Sequence, residues 1–173
     1  ILSGCNDYSY YRDDIILDSI PYKTDINLQL SNNKGDISLL KNNQENIEII
    51  IEAQAGSEQK AQARRVVNSI NIIHNYNQEK NLLKIEDKID RNLNFDYRLR
   101  INYKILIPRD FNGKFITDKG NINIEEIEGD LYAESNSGEL NIDKIKGNLK
   151  AYFNNDDIKI EELRSRKDLF IKT

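Results

Sequence analysis

The stretch Gly120-NINIEEIE, Gly129-DLYAESNS, Gly138-ELNIDKIK, Gly147-NLKAYFNN, Asp156-DIKIEELR, Ser165-RKDLFIKT divides into nine-residue blocks, and its pattern decides the fold. Alternate blocks match better than adjacent ones. Those starting at 120, 138 and 156 carry apolar residues at the third, fifth and eighth places: Ile122, Ile124, Ile127; Leu140, Ile142, Ile145; Ile158, Ile160, Leu163. Those starting at 129 and 147 match Leu131 with Leu149, Ala133 with Ala151 and Asn136 with Asn154, so the period is 18 residues.

Apolar residues two apart mark a strand with one buried face. Gly120, Gly129, Gly138 and Gly147 at block boundaries supply corners where a positive φ costs little, and Asp156 stands in for the fifth. A strand of about five residues cannot close a core alone, so successive coils must stack. Stacking predicts one buried ladder of Ile122, Leu140 and Ile158, and another of Ile124, Ile142 and Ile160. Asn136 and Asn154 then fall on adjacent rungs, where amides can hydrogen-bond along the axis. The expected fold class is all-β: a single-stranded parallel β-helix, or β-solenoid, of about 18 residues per coil, right-handed by the crossover rule. Additional strands and one short helix precede it.

Upstream, residues 96–108 (DYRLRINYKILIP) alternate as one long strand, with Leu99, Ile101, Tyr103, Ile105 and Ile107 on one face. Pro108 stops it, and Asn112-Gly113 turns the chain into the repeat. Gly35-Asp-Ile-Ser-Leu39 looks like a copy of the later block starts, and further strands are predicted at Ile47–Glu52, Ile70–Tyr76 and Leu82–Glu86. Residues 57–68 (SEQKAQARRVVN) read as a helix capped by Ser57.

Composition narrows the function classes. The 173 residues are 38% hydrophobic and 31% charged, which suits one domain with a thin core and a wetted surface. A net charge of −4 provides no positive field for nucleic acid. One Cys and one His allow neither an internal disulfide nor a zinc site of the usual kind. No metal, cofactor or catalytic residue is assigned.

The single cysteine falls in Ile1-Leu2-Ser3-Gly4-Cys5. A branched apolar residue, two small residues and Cys resemble the lipobox of bacterial lipoproteins, in which the cysteine sulfur is diacylglycerol-modified. Residues 1–4 would then be a signal-peptide remnant, Cys5 the lipidation site, 5–22 a flexible tether and 23–173 the solenoid domain. In that domain the repeat is clearest in 113–173, and the helix is an insertion near 57–69. Two acyl chains make a stable membrane anchor, whereas one is marginal.

The strand Arg100-Ile-Asn-Tyr-Lys-Ile-Leu-Ile-Pro108 leads into Thr117-Asp-Lys-Gly-Asn-Ile-Asn-Ile124, Ile127-Glu-Gly-Asp-Leu131 and Ser135-Asn-Ser-Gly-Glu-Leu-Asn-Ile142. This layout resembles the bacterial cell-envelope domains named the "putative adhesin" family, well over Asn94 to Leu163 and loosely over Asp25 to Asp87. The resemblance implies a single-stranded β-helix, an exported or surface location, and an unidentified protein or glycan partner. It carries no catalytic residues.

Sharper chemical readings fare poorly. Calcium-binding β-rolls need an Asp at the sixth place of every block, where this chain has Glu125, Glu134, Asp143 and Tyr152, an Asp in one block of four, so the run Asn154 to Asp157 reads as a corner. Glu125-Glu126 and Glu161-Glu162 are repeat-equivalent, and alternation sends the members of each pair to opposite faces. His74 has no Ser, Cys or Asp nearby in sequence. Lys60, Arg64 and Arg65 read as a solvated helix face. Tyr132 and Tyr152 are not 18 apart, so no aromatic ladder is expected from them. The C-terminal edge at Leu169, Phe170 and Ile171 is a candidate surface for self-association or partner binding by strand addition.

The sequence thus reads as a membrane-anchored envelope lipoprotein with a non-enzymatic, adhesin-like binding or scaffolding domain. An envelope-signalling accessory and, less favoured, a small carbohydrate-active enzyme stay open as alternatives at this point. Intact mass of the protein purified from membranes should exceed the polypeptide mass by a diacylglycerol unit, and Cys5→Ala should abolish the increment. An unmodified mass from membranes removes the anchor.

Overall fold

Alternating burial along almost every segment makes strands the dominant element, and each strand's apolar face needs a second layer to cover it. The computed structural model describes residues 8–21, 26–42, 46–89, 92–107, 110–154, 157–164 and 169–172. In chain order they form β1 (Ser9–Pro21), β2 (Asn27–Lys34), β3 (Ile37–Lys41), β4 (Asn46–Ser57), α1 (Lys60–Asn68), β5 (Ile70–Asn77), β6 (Leu82–Ile89) and β7 (Tyr97–Ile107). Then follow β8 (Asn112–Lys119), β9 (Ile122–Glu128), β10 (Leu131–Ser137), β11 (Leu140–Lys146), β12 (Leu149–Phe153), β13 (Ile158–Leu163) and β14 (Leu169–Lys172). The first sheet has the order β1-β4-β7-β3-β9-β11-β13, and the second β14-β12-β10-β8-β2-β6-β5. One core takes inward side chains from both, including Leu28, Leu30, Phe115, Ala133 and Phe153 from the second and Ile37, Ile49, Tyr103, Ile124 and Ile142 from the first.

From β8 onward the chain alternates between the two sheets. Leu140 pairs with Ile122 and Ile158, and Ile142 with Ile124 and Ile160, all in parallel register. Leu131 pairs with Gly113 and Leu149 on the other sheet. These partners lie 18 residues apart. The last pair slips, because Leu149 meets Leu169.

The corners explain why glycine recurs. Gly120 has φ +156° and Gly138 φ +150°, where a side chain is strained. They also lie one above the other: a Cβ on Gly138 would sit 2.0 Å from the Gly120 carbonyl oxygen, and one on Gly120 would sit 2.1 Å from that of Gly35. Two of the corners are sealed from inside by a buried polar group. Thr117 Oγ1 donates to the Gly35 carbonyl (3.2 Å) and Ser135 Oγ to that of Gly120 (3.1 Å). Outside, the residue after the corner caps the next rung. Asn102 Oδ1 accepts the Asp36 N–H, Asp36 Oδ1 the Asn121 N–H, and Asn121 Oδ1 the Glu139 N–H, at 2.9–3.0 Å. A second series runs from Asn112 to Asp130 to Asn148.

The N-terminal half corrects the expectation of a parallel helix over 23–173. β1 pairs antiparallel with β4, β4 antiparallel with β7, and β5 antiparallel with β6, so both sheets are mixed. Most of the expected tether is structured: Ser9–Pro21 is a 13-residue edge strand, held by the full length of β4. The stack is also not threaded in chain order. β2 and β3 lie between strands that come later, β6 and β8 on one sheet and β7 and β9 on the other.

The helix starts at Lys60 rather than Ser57. Ser57 ends β4, fully buried, with its hydroxyl donating to the Asp96 carbonyl (2.8 Å). Gln62 Oε1 accepts the Gln59 N–H and caps the first turn instead. Ala63, Val66 and Val67 pack on Ala53 and Ala55 in a second small core. Arg64 lies over the Tyr11 ring and Arg65 over Phe95, so two of the three basic residues brace aromatics rather than only facing water.

Two predictions follow from this packing. Gly138→Ala should cost about 3 kcal/mol, combining positive-φ strain with the carbonyl clash, and an unchanged urea midpoint would refute the stacked corner. The second concerns Asp87, half-buried, whose Oδ1 accepts the Tyr103 hydroxyl (3.0 Å). Burial pushes its carboxyl above the ordinary value, outweighing the Tyr103 bond. A raised folded value means its contribution is complete below the ordinary carboxylate range and is lost as pH rises through the folded value. Asp87→Asn should therefore raise Tm at neutral pH relative to wild type, with the gain vanishing below about pH 4. A constant Tm difference across that range is the contrary result.

Candidate functional site

In a parallel ladder in register, residues at equivalent places line up in rows across the sheet, and on the outer face those rows meet solvent. On the second sheet one such row runs across the strands from Lys84 of β6, which pairs with Gln29 of β2. Gln29 of β2 pairs with Lys114 of β8, Lys114 with Tyr132 of β10, Tyr132 with Lys150 of β12, and Lys150 with Phe170 of β14. Their inward neighbours, Leu28, Phe115, Leu131, Ala133, Leu149 and Ala151, are core, which fixes the row's orientation. Lys114 and Lys150 are exposed, and Phe170 is 46% exposed.

The row borders a cleft of about 380 Å³ lined by Asn27, Gln29, Asn112, Asp130, Tyr132 and Asn148 among others. Lys114 Nζ stands 4.7 Å from the centroid of the Tyr132 ring. The Tyr132 hydroxyl donates to Glu134 Oε2 at 2.5 Å. That bond, with some burial, holds the phenol pushed up to about 12, so it stays neutral across the physiological range. The Tyr152 ring lies 5.4 Å from Tyr132 and 5.3 Å from Phe170.

This corrects the sequence expectation about aromatics. Tyr152 pairs with Glu134, one diagonal step from Tyr132, and long rings reach across that diagonal. Equality of repeat position was too narrow a test. The stronger signal was available and missed: Lys114, Tyr132 and Lys150 stand 18 residues apart, at the fourth place of alternate blocks.

The other candidates are placed as follows. Asn154 Nδ2 donates to Asn136 Oδ1 (3.2 Å), and Asn136 Nδ2 to Asp118 Oδ1 (2.7 Å), in a surface ladder beside a smaller cleft of about 170 Å³. Gly120, Gly129, Gly138 and Gly147 occupy the corners with φ between +150° and +159°. Cys5 and Asp156 lie outside the described residues. Phe170 and Ile171 are exposed on β14, at the edge of the second sheet; the Leu169 side chain is outside the described set. His74 is exposed on β5.

One member of each glutamate pair, Glu126 and Glu162, stands in ion pairs, while Glu125 accepts the Lys41 N–H. Ile124 and Ile127 are both buried with Glu125 and Glu126 outward between them, so strict alternation lapses there. Lys144 Nζ lies between Glu126 (3.6 Å) and Glu162 (3.9 Å), and Lys146 pairs with Glu128. On the outer face of β9, β11 and β13 these lysines and glutamates thus pair across rungs. On the second sheet Lys84 is paired with Glu86, but among the described residues no carboxylate reaches Lys114 or Lys150. Among the described residues no three His, Cys, Asp or Glu side chains converge to hold a metal, and no helix is long and apolar enough to cross a membrane.

No family model and no curated protein matches this sequence. Solved structures do. One from Clostridium sporogenes, named a "putative cell adhesion protein", is 12% identical with TM-score 0.45, over 94% of this chain and 99% of its own. A "putative adhesin" from Parabacteroides distasonis is 13% identical with TM-score 0.49, over 96% of this chain and 71% of its own. A "putative lipid binding protein" from the same organism is 11% identical with TM-score 0.33, over 92% and 78%. Adhesin names recur among the neighbours.

Proposed function

We propose that this is a non-enzymatic binding protein of the bacterial cell envelope, anchored through a lipid on Cys5, that holds a saccharide on the outer face of its second sheet. The coils from β8 onward act as a β-solenoid platform, whose rigidity keeps the row of exposed side chains in place. The observation that carries the reading is the continuous row Lys114, Tyr132, Lys150 and Phe170, with Tyr152 packed against both rings. Aromatic faces accept the C–H surface of a pyranose, while Asn27, Gln29, Asn112 and Asn148 offer amides to its hydroxyls.

A binding role also fits the carboxylates on this face. Glu134 accepts the Tyr132 hydroxyl, and Asp130 Oδ1 accepts the Asn148 N–H, so the corner architecture already engages both. Acid–base cleavage of a glycan needs two carboxyl groups free to exchange protons.

Affinity electrophoresis through gels containing neutral or acidic polysaccharides tests the reading. At least one should retard the wild-type protein. Tyr132→Ala, with an unchanged far-UV spectrum, should weaken that binding about tenfold. Unretarded migration through every gel overturns it.

A further inference from the structure

We infer that the ligand is an acidic polysaccharide of the uronate type, running across the strands with pyranose rings on Tyr132 and Phe170 and carboxylates at Lys114 and Lys150; this deepens the saccharide reading and rests on it.

The order of side chains along the row carries the inference. Moving from β8 to β14, an incoming chain meets an ammonium, a ring, an ammonium and a ring, on four adjacent strands in register. Adjacent strands are about 4.8 Å apart, which is close to the length of one hexopyranose unit, so successive sugars fall on successive positions. The two lysines therefore stand about 10 Å apart across Tyr132. A neutral glycan would need the rings and amides but would leave both ammonium groups without a counter-charge. A phosphate polymer or acidic peptide would satisfy the lysines but gain nothing from the aromatic faces. A uronate chain uses both.

The placement of charge on the face points the same way. Glu86 is paired with Lys84, while Glu134, Asp130 and Asp118 keep their charge but are turned to the Tyr132 hydroxyl, the Asn148 N–H and the Asn136 amide rather than to the two lysines. Lys114 and Lys150 have no described carboxylate at ion-pair distance, although the chain as a whole carries a net charge of −4. On the first sheet, by contrast, Lys144 and Lys146 lie beside glutamates from the neighbouring rung. Two cations outside any ion pair, flanking an aromatic ring, offer N–H donors to an anion through short-range charge-assisted hydrogen bonds rather than through a long-range field.

The test is calorimetric titration of the full chain with polygalacturonate, alginate and hyaluronan, each beside its methyl-esterified form, and with neutral galactan and polyglutamate. At least one uronate polymer should bind, its ester at least tenfold more weakly. The double variant Lys114→Gln/Lys150→Gln should bind acid and ester alike. Lys84→Gln, on the same row but paired with Glu86, should behave as wild type. Equal binding of acid and ester, or binding of galactan alone, overturns the acidic ligand and leaves the saccharide reading standing. Polyglutamate bound as tightly as the uronates overturns the need for sugar rings. Silence toward every saccharide overturns both.

Discussion

Everything else in this fold depends on the close approach of backbone at the corners. Gly35, Gly120 and Gly138 turn the chain between the two sheets directly above one another, so near that a single methyl group would lie 2.0–2.1 Å from the next carbonyl oxygen. That contact requires residues without a Cβ and a backbone conformation that glycine alone enters cheaply. Once the corners stack, the strands between them have no freedom of register. The Asx side chains after each corner then reach up or down one rung and satisfy an N–H that the turn leaves free, while Thr117 and Ser135 do the same for carbonyls from inside. The corner is thus closed on both sides by hydrogen bonds, and the apolar ladders follow from it.

Registered stacking has a functional consequence. Inward positions are committed to packing, so chemistry is confined to the outer rows, where a side chain repeated every coil forms a line across the sheet. The two sheets use this differently. On the first, lysines and glutamates alternate between rungs and neutralise each other, giving cross-strand pairs that steady the surface and contribute little more, since exposed ion pairs are individually weak. On the second, lysines alternate with aromatic rings, Lys114 standing over Tyr132, and neither Lys114 nor Lys150 is in an ion pair with a described carboxylate. That contrast between two faces of the same scaffold is the ground for proposing the second as the binding face.

The legibility of the chain tracks its regularity. Residues 113–163 could be placed from spacing alone, because Ile122, Leu140 and Ile158 repeat without a break and each copy pairs with the next. Gly35 to Leu39 was recognisable as one more copy, and it does pair with the strand that starts at Ile122. The N-terminal strand was read as a tether because Asn6 to Asp14 is polar without period, yet its backbone is held by β4 along its whole length. An edge strand needs only one apolar face and takes its hydrogen bonds from its neighbour, so its own composition carries little signal. Likewise, Tyr132 and Tyr152 touch along a diagonal that equality of repeat position does not detect.

Residue spacing along the chain sets the local rule: a glycine corner, a short alternating strand and an 18-residue return, with the core ladders and the Lys114, Tyr132 and Lys150 positions implied by it. This information is local because corner strain and alternation act over a few residues. Where the N-terminal half goes was settled by long-range pairing: β2 and β3 are enclosed by later strands, β1, β4 and β5 pair antiparallel, and Phe170 joins the row through a register slip. Those outcomes depend on which free edge each strand finds once the others have folded, a competition between backbone hydrogen bonds that are nearly the same for every sequence.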